Sequence, residues 1–299
     1  MDRFRKLFSL KDSIDFSQTV HSVLNLRPDD VIIAGHMKSG TTWMQQIVHQ
    51  IRTGGDESFE DIYDVEPVLP RARTIHIDPN ADQVASPRLY KTHLLYDAIP
   101  IVQGQTRIIV MVRDPYDSEF SLIKFKWRLL GFDRDMTAEE YEEVVSALKF
   151  PNFASFIASW YPHRHDPNIL FITYEDLKQD LAACVQKTAA FVLGKPLEDS
   201  VFSKVMYYSS FEYMSKNKHM FNGDNMMRYW AELANVENRP VLSSIVRSDG
   251  GRVGQGRAML DESVRRSIDK RWKEVIESKC GLKDYASLYA ECAWFPRAS

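Results

Sequence analysis

Cysteine is scarce and charge is nearly balanced in this chain. Three cysteines occur in 299 residues, Cys184, Cys280 and Cys292. None stands in a C-x-x-C pair, so there is neither a disulfide framework nor a zinc site. The pattern suits a reducing compartment, and a cytoplasmic location is expected. Formal net charge is −3. No global basic field points to nucleic acid or to an anionic membrane surface, so any anion site must be local. No run approaches the roughly 20 apolar residues of a membrane span, and "MDRFRKLFSLKDSIDFSQ" lacks the apolar core of a secretory signal. Repeats, low-complexity tracts and Gly/Ser linkers are missing, which argues for one domain over residues 1–299. The ATP-binding loop G-x-x-x-x-G-K-[ST] is also missing.

What remains is an ordinary globular composition, 44% hydrophobic and 26% charged, enough to bury a core. Four short runs rich in β-branched or aromatic residues read as buried parallel strands: "VIIAG" (31–35), "RLYKT" (88–92), "RIIVMV" (107–112) and "ILFITY" (169–174). Helical spacing lies between and beyond them, in "TTWMQQIVHQIR", "DSEFSLIKFKWRLL", "TAEEYEEVVSALK", "NFASFIASWYPHR" and "LAACVQKTAAFVLG", the last closed by Gly194. This alternation predicts an α/β fold, a central parallel sheet with helices on both faces. Ligands in such folds sit beyond the carboxyl ends of the strands. Three strands end there in polar clusters, "GHMKSGTT", "KTH" and "RDP".

In "GHMKSGTTW", Gly35 and Gly40 permit a tight turn. Ser39, Thr41 and Thr42 offer hydroxyls, and a helix N-terminus follows. Lys38 adds a full charge, placed before the last glycine rather than after it. In "RLYKTHLL", Lys91 and His93 lie two apart, so an extended backbone points both to one side. A histidine, titrating near ~6.5, can take a proton at neutral pH. In "VRDPYDSEFS", Arg113 and the hydroxyl of Ser121 could grip a phosphate from two sides. The alternative is an ion pair of Arg113 with Asp114 or Asp117. "HRH" at 163–165 lacks a third metal ligand at a sensible spacing, and no metal is expected.

Together these stretches resemble the cytosolic sulfotransferase family, which uses 3′-phosphoadenosine 5′-phosphosulfate (PAPS) as sulfuryl donor. "KSGTTW" is similar to its phosphosulfate loop, "YKTHL" to its catalytic-histidine segment, and "RDPYDSEFS" to its 3′-phosphate segment. "ILFITYEDL" and "YYSSFEYMSKN" resemble two further donor-contacting motifs, and the resemblance spans about residues 30–275 in consistent order. It implies that Lys38 meets the bridging and 5′-phosphate oxygens, with Ser39, Gly40, Thr41 and Thr42 around the phosphosulfate. Trp43 and Tyr174 would bind the adenine side, Ser209 and Phe211 would contact the donor, and Arg113 and Ser121 would hold the 3′-phosphate. Lys91 and His93 would face the transferring group and the acceptor, His93 as general base.

"IVRSDGGRVGQGRAML" departs from the animal pattern and is closer to the looser form of bacterial members. There Arg247, with Ser248 and Gly250, matches the phosphate arm best, while Arg252 and Arg257 compete. The implied partners are PAPS and a small-molecule acceptor, a hydroxyl or an amine. The short dimer motif of animal members is not recognisable, which leaves a homodimer open. The acceptor walls are expected in a loop at 54–87 and in 212–246. Two rivals stand beside this reading: a P-loop kinase with Mg²⁺ on Asp114, and a catalytically silent binder of PAPS or its product PAP.

Overall fold

The computed structural model describes residues 24–56, 58–69, 78–102, 104–129, 137–147, 151–223 and 251–295. Its strands are β1 (Val31–Gly35), β2 (Val68–Leu69), β3 (Leu89–Thr92), β4 (Arg107–Val112) and β5 (Ile169–Thr173). All pair in parallel, in the order β2-β3-β1-β4-β5. Helices α1 (Thr41–Thr53), α2 (Ile62–Val65), α3 (Pro115–Leu129), α4 (Ala138–Ala147), α5 (Phe153–Trp160) and α6 (Tyr174–Gln179) connect and cover the sheet. They are followed by α7 (Leu181–Leu193), α8 (Asp199–Tyr208), α9 (Phe211–Lys216), α10 (Gln255–Met259), α11 (Glu262–Arg271) and α12 (Tyr285–Cys292). Among the described residues no helix is long and apolar enough to cross a membrane.

Alternation along each strand divides the core. Val31, Ile33, Leu89, Ile109, Met111 and Ile172 face α1, α7 and α8, meeting Met44, Ile47, Val185 and Val205. Ile32, Ala34, Tyr90, Ile108, Val110 and Phe171 face the other way, toward Phe120 of α3, Trp160 of α5, Ile268 of α11 and Leu288 of α12. Side chains of a strand buried on both faces are apolar at every position, which is why these runs stand out. The expected sheet with helices on both faces is therefore the observed one.

The sheet also places the site. β1 lies between β3 and β4, so the strand order reverses on either side of it. A crevice opens at such a switch point beyond the carboxyl ends of the strands. Residues 35–43, 91–93 and 113–121 all leave the sheet at that end.

The elements differ from the sequence reading in several places. Strand β3 starts at Leu89, because Arg88 before it turns into a buried fork on Asp30, with bonds of 2.9 and 2.6 Å. Tyr174 opens α6 instead of ending β5: Thr173 caps that helix in a reciprocal capping box with Asp176. The stretch 54–87, read as a loop, contains α2 and β2. Asp61 caps α2 by accepting from the Tyr63 amide, and two residues of β2 pair with β3. Both are too short for a hydrophobic period to show. Part of 212–246 is helical, in α9 and the 3₁₀ turn Lys218–Phe221; its residues 224–246 lie outside the described ones. Gly194 does close α7, at φ 73°.

Candidate active site

The loop between β1 and α1 is held by its own backbone. Gly40 sits at φ 94°, and a Cβ there would lie 2.8 Å from the Tyr174 ring, so only glycine fits. Lys38 adopts φ 67°, the one positive-φ non-glycine among the described residues. An L-residue held left-handed costs roughly 1–2 kcal/mol, a strain that clusters at functional turns. Its ammonium lies 4.6 Å from the centroid of the Phe125 ring. Ser39 and Thr41 are buried.

Two residues of the "KTH" segment meet this loop. Lys91 on β3 donates to Tyr63 Oη at 2.9 Å and to Thr42 Oγ1 at 3.2 Å. His93 Nδ1 lies 2.6 Å from the Gly35 carbonyl. A carbonyl oxygen can only accept, so Nδ1 carries the proton and the neutral ring's lone pair is on Nε2. The fold thus selects the tautomer with its ring lone pair on Nε2.

On the other flank Arg113 is buried in a cage. Its guanidinium stands 4.0 Å over the Tyr174 ring, and Nη1 donates to the Lys38 carbonyl at 3.2 Å. Nη2 reaches the Gly251 carbonyl at 3.5 Å, which also accepts from the Tyr174 hydroxyl at 3.1 Å. Asp117 is 3.9 Å away, but its two oxygens accept from the Gly254 and Gly256 amides at 2.8 and 2.6 Å. Gly256 must be glycine, since a Cβ would come within 2.1 Å of the Tyr116 carbonyl. Arg113 and Asp117 thus form an ion pair, but a buried one, in which the carboxylate also serves the chain at 254–256. Arg113 Nε is buried with no partner among the described residues, a donor suited to an anion.

Trp43 joins the third group of residues. Its indole donates to the Ser209 carbonyl at 2.7 Å, and its ring meets Tyr174 edge-on at 5.9 Å. Ser209 is buried, with its hydroxyl unpartnered among the described residues. Phe211 is 41% exposed at the start of α9, and Ser121 is buried on α3. Of the competing arginines, Arg252 is exposed and Arg257 lies over the Tyr116 ring at 4.4 Å. Arg247, Ser248 and Gly250 lie outside the described residues. The neighbouring Gly251 supplies the carbonyl that Arg113 and Tyr174 share. At "HRH", His163 stacks on Tyr96 and faces Asp166 Oδ2 at 3.0 Å. Among the described residues no group of three His, Cys, Asp or Glu could hold a metal ion.

A family model described as a sulfotransferase domain matches residues 28–276. The chain belongs to the sulfotransferase family. It is similar to sulfotransferase 1E1 of Homo sapiens, 30% identical over 216 residues that cover 69% of this chain and 73% of the relative. With sulfotransferase 1B1 of Canis lupus familiaris the identity is 33% over 202 residues, covering 64% and 68%. A crystal structure of mouse sulfotransferase SULT7A1 complexed with PAP shares the fold, at TM-score 0.63 and 22% identity, covering 90% of this chain and 92% of that one.

Behind Lys91 this sulfotransferase buries a polar group that sequence reasoning missed. Glu66, the residue that ends α2, is fully buried, and His49 Nδ1 lies 3.7 Å from its carboxylate. Burial pushes Glu66 from the ordinary 4.5 up to about 8, against the pull of Arg52, Gln45 and Lys91. Gln45 is near enough to favour the ionised form, yet neither side chain makes a well-formed hydrogen bond among the described residues. Burial, then Arg52, pushes His49 from 6.5 down to about 3. Neither has a sequence signal, since each sits in an unremarkable mixed segment.

The Glu66 carboxyl is raised on folding. Its contribution to stability is whole below pH 4.5 and is lost as pH rises through about 8. Glu66→Gln should flatten that fall and gain of order 2–4 kcal/mol relative to wild type above pH 8. Urea melts at pH 5 and pH 9 measure it; parallel curves for the two proteins would refute the assignment. His49 works oppositely, its contribution being present above pH 6.5 and lost as pH falls toward about 3.

Proposed function

We propose that this protein moves the sulfuryl group of PAPS to a hydroxyl or amine of a small acceptor, with His93 as general base. One observation carries the reading: the Gly35 carbonyl beside the Lys38 loop fixes His93 with its lone pair on Nε2. A mere donor-binding module needs no oriented base. The rival kinase reading needs Asp114 for a metal, whereas its Oδ1 accepts from the Tyr116 amide at the start of α3, at 2.9 Å.

The donor fits the residues present. Arg113 Nε and the Ser209 hydroxyl are buried polar atoms without partners among the described residues; Arg113 and Ser121 suit the 3′-phosphate. Trp43 and Tyr174 would take the adenine side, and Ser209, whose carbonyl accepts from Trp43, and Phe211 would contact the donor beside them. Ser39, Gly40, Thr41 and Thr42 surround the phosphosulfate. Arg247, Ser248 and Gly250 complete the 3′-phosphate arm, in the looser form resembling bacterial members. His93 takes the acceptor's proton as it attacks sulfur in line. Lys38 meets the negative charge that develops on the departing bridging oxygen, and Lys91 faces the transferring group. These roles require no metal ion. The three free thiols suit a cytoplasmic enzyme, and we take residues 1–299 as one domain.

Transfer of labelled sulfate from PAPS to a panel of phenols, alcohols and amines, in EDTA, tests the proposal. Labelled product is expected. A requirement for ATP and Mg²⁺ would establish the kinase instead, and PAP binding without transfer to any acceptor would establish the silent binder.

A further inference from the structure

Lys91 is 4% exposed, and among the described residues no carboxylate forms an ion pair with it. A buried ammonium is costly unless it is paired or well hydrogen-bonded. Here it lies 4.8 Å from the centroid of the Tyr63 ring and donates to two hydroxyls, those of Tyr63 and Thr42. These two hydroxyls are themselves 3.3 Å apart, so the three groups close a triangle at the edge of the donor loop.

Proton counting gives the triangle a direction. An ammonium has three protons and accepts none, so Lys91 spends two on the hydroxyls and keeps one for an anion. If Tyr63 donates to Thr42 Oγ1, that oxygen accepts twice and both its lone pairs are used. The Thr42 proton must then point away from the triangle. Tyr63 reaches this place because Asp61 caps α2 and because Ile62, Val68, Met220 and Phe221 pack around it.

We propose that Tyr63 is a positioning residue for sulfuryl transfer: its hydroxyl holds the Lys91 ammonium and turns the Thr42 proton toward the sulfuryl end of the donor. This rests on the PAPS reading above. The role directs Lys91 and the Thr42 proton to the sulfuryl group, which PAPS has and PAP lacks, so the effect of Tyr63 should be larger for PAPS than for PAP.

Tyr63→Phe keeps the ring under the ammonium and removes only the hydroxyl. Equilibrium binding of PAPS and of PAP, without acceptor, is compared for wild type and variant. Expected is a rise of about 10-fold in the PAPS dissociation constant, as for loss of a charge-assisted hydrogen bond. The PAP constant stays within about threefold and the melting temperature is nearly unchanged. With acceptor, kcat falls about 10- to 30-fold while the acceptor KM barely moves. Unchanged PAPS binding in the variant overturns the role. So does an equal loss for PAPS and PAP with a lowered melting temperature, which would mark Tyr63 as structural. Wild-type protein that binds neither nucleotide removes the donor reading and this role with it. Wild-type binding of both with an indifferent variant removes this role alone.

Discussion

His93→Ala should lose about 10²–10⁴-fold in kcat, the range of a well-placed general base, while PAP affinity changes less than about threefold. The separation follows from geometry. His93 reaches the site through Nδ1 on the Gly35 carbonyl, a backbone contact at the end of β1. The donor anchors proposed for Arg113, Trp43, Ser209 and Tyr174 belong to other hydrogen bonds. Removing the imidazole would thus remove the proposed base and leave the proposed donor anchors in place. His93→Gln is the sharper control, since its amide can still donate to Gly35 but cannot take a proton at neutral pH. It should be nearly as inactive as alanine. If His93→Gln retained wild-type kcat, the base would have to be another group.

Lys38→Met should lower kcat by roughly 10²–10³-fold, the loss seen when one preorganised donor to a developing negative charge is removed. PAP affinity should fall less, about 10-fold or under, because the role proposed for the lysine is to meet charge that grows during transfer. The left-handed backbone of Lys38 offers an internal check. Lys38→Gly relieves the strain, worth about 1 kcal/mol, yet lacks the same ammonium. It should be more stable than Lys38→Met and equally slow. Recovery of kcat in the glycine variant would mean that loop conformation, not charge, limits the reaction.

Much of this was legible because buried parallel strands advertise themselves. β1 and β4 are short runs rich in β-branched residues, and each ends where the polar loop begins. The hydroxyl and lysine content of residues 38–42 needs no tertiary knowledge to suggest an anion. Tyr63 and Glu66 were hidden because α2 and β2 together span too few residues for any period. Arg113 was ambiguous, since a neighbouring Asp117 makes a surface ion pair equally reasonable in a linear reading. Only the tertiary structure shows that the pair is buried and that Gly254 and Gly256 share its carboxylate.

The sequence by itself determined the parallel α/β sheet, the order of its polar loop ends and the residue types that suit sulfuryl transfer, because hydrophobic runs and local turn chemistry are encoded in adjacent residues. Tertiary structure decided which histidine nitrogen holds the proton, which hydroxyls grip Lys91 and which carbonyl closes the cage on Arg113. Those contacts join positions 58, 28 and 138 residues apart. Such distances are set by how the crossovers place β3 and β4 on either side of β1, and no local pattern records that choice.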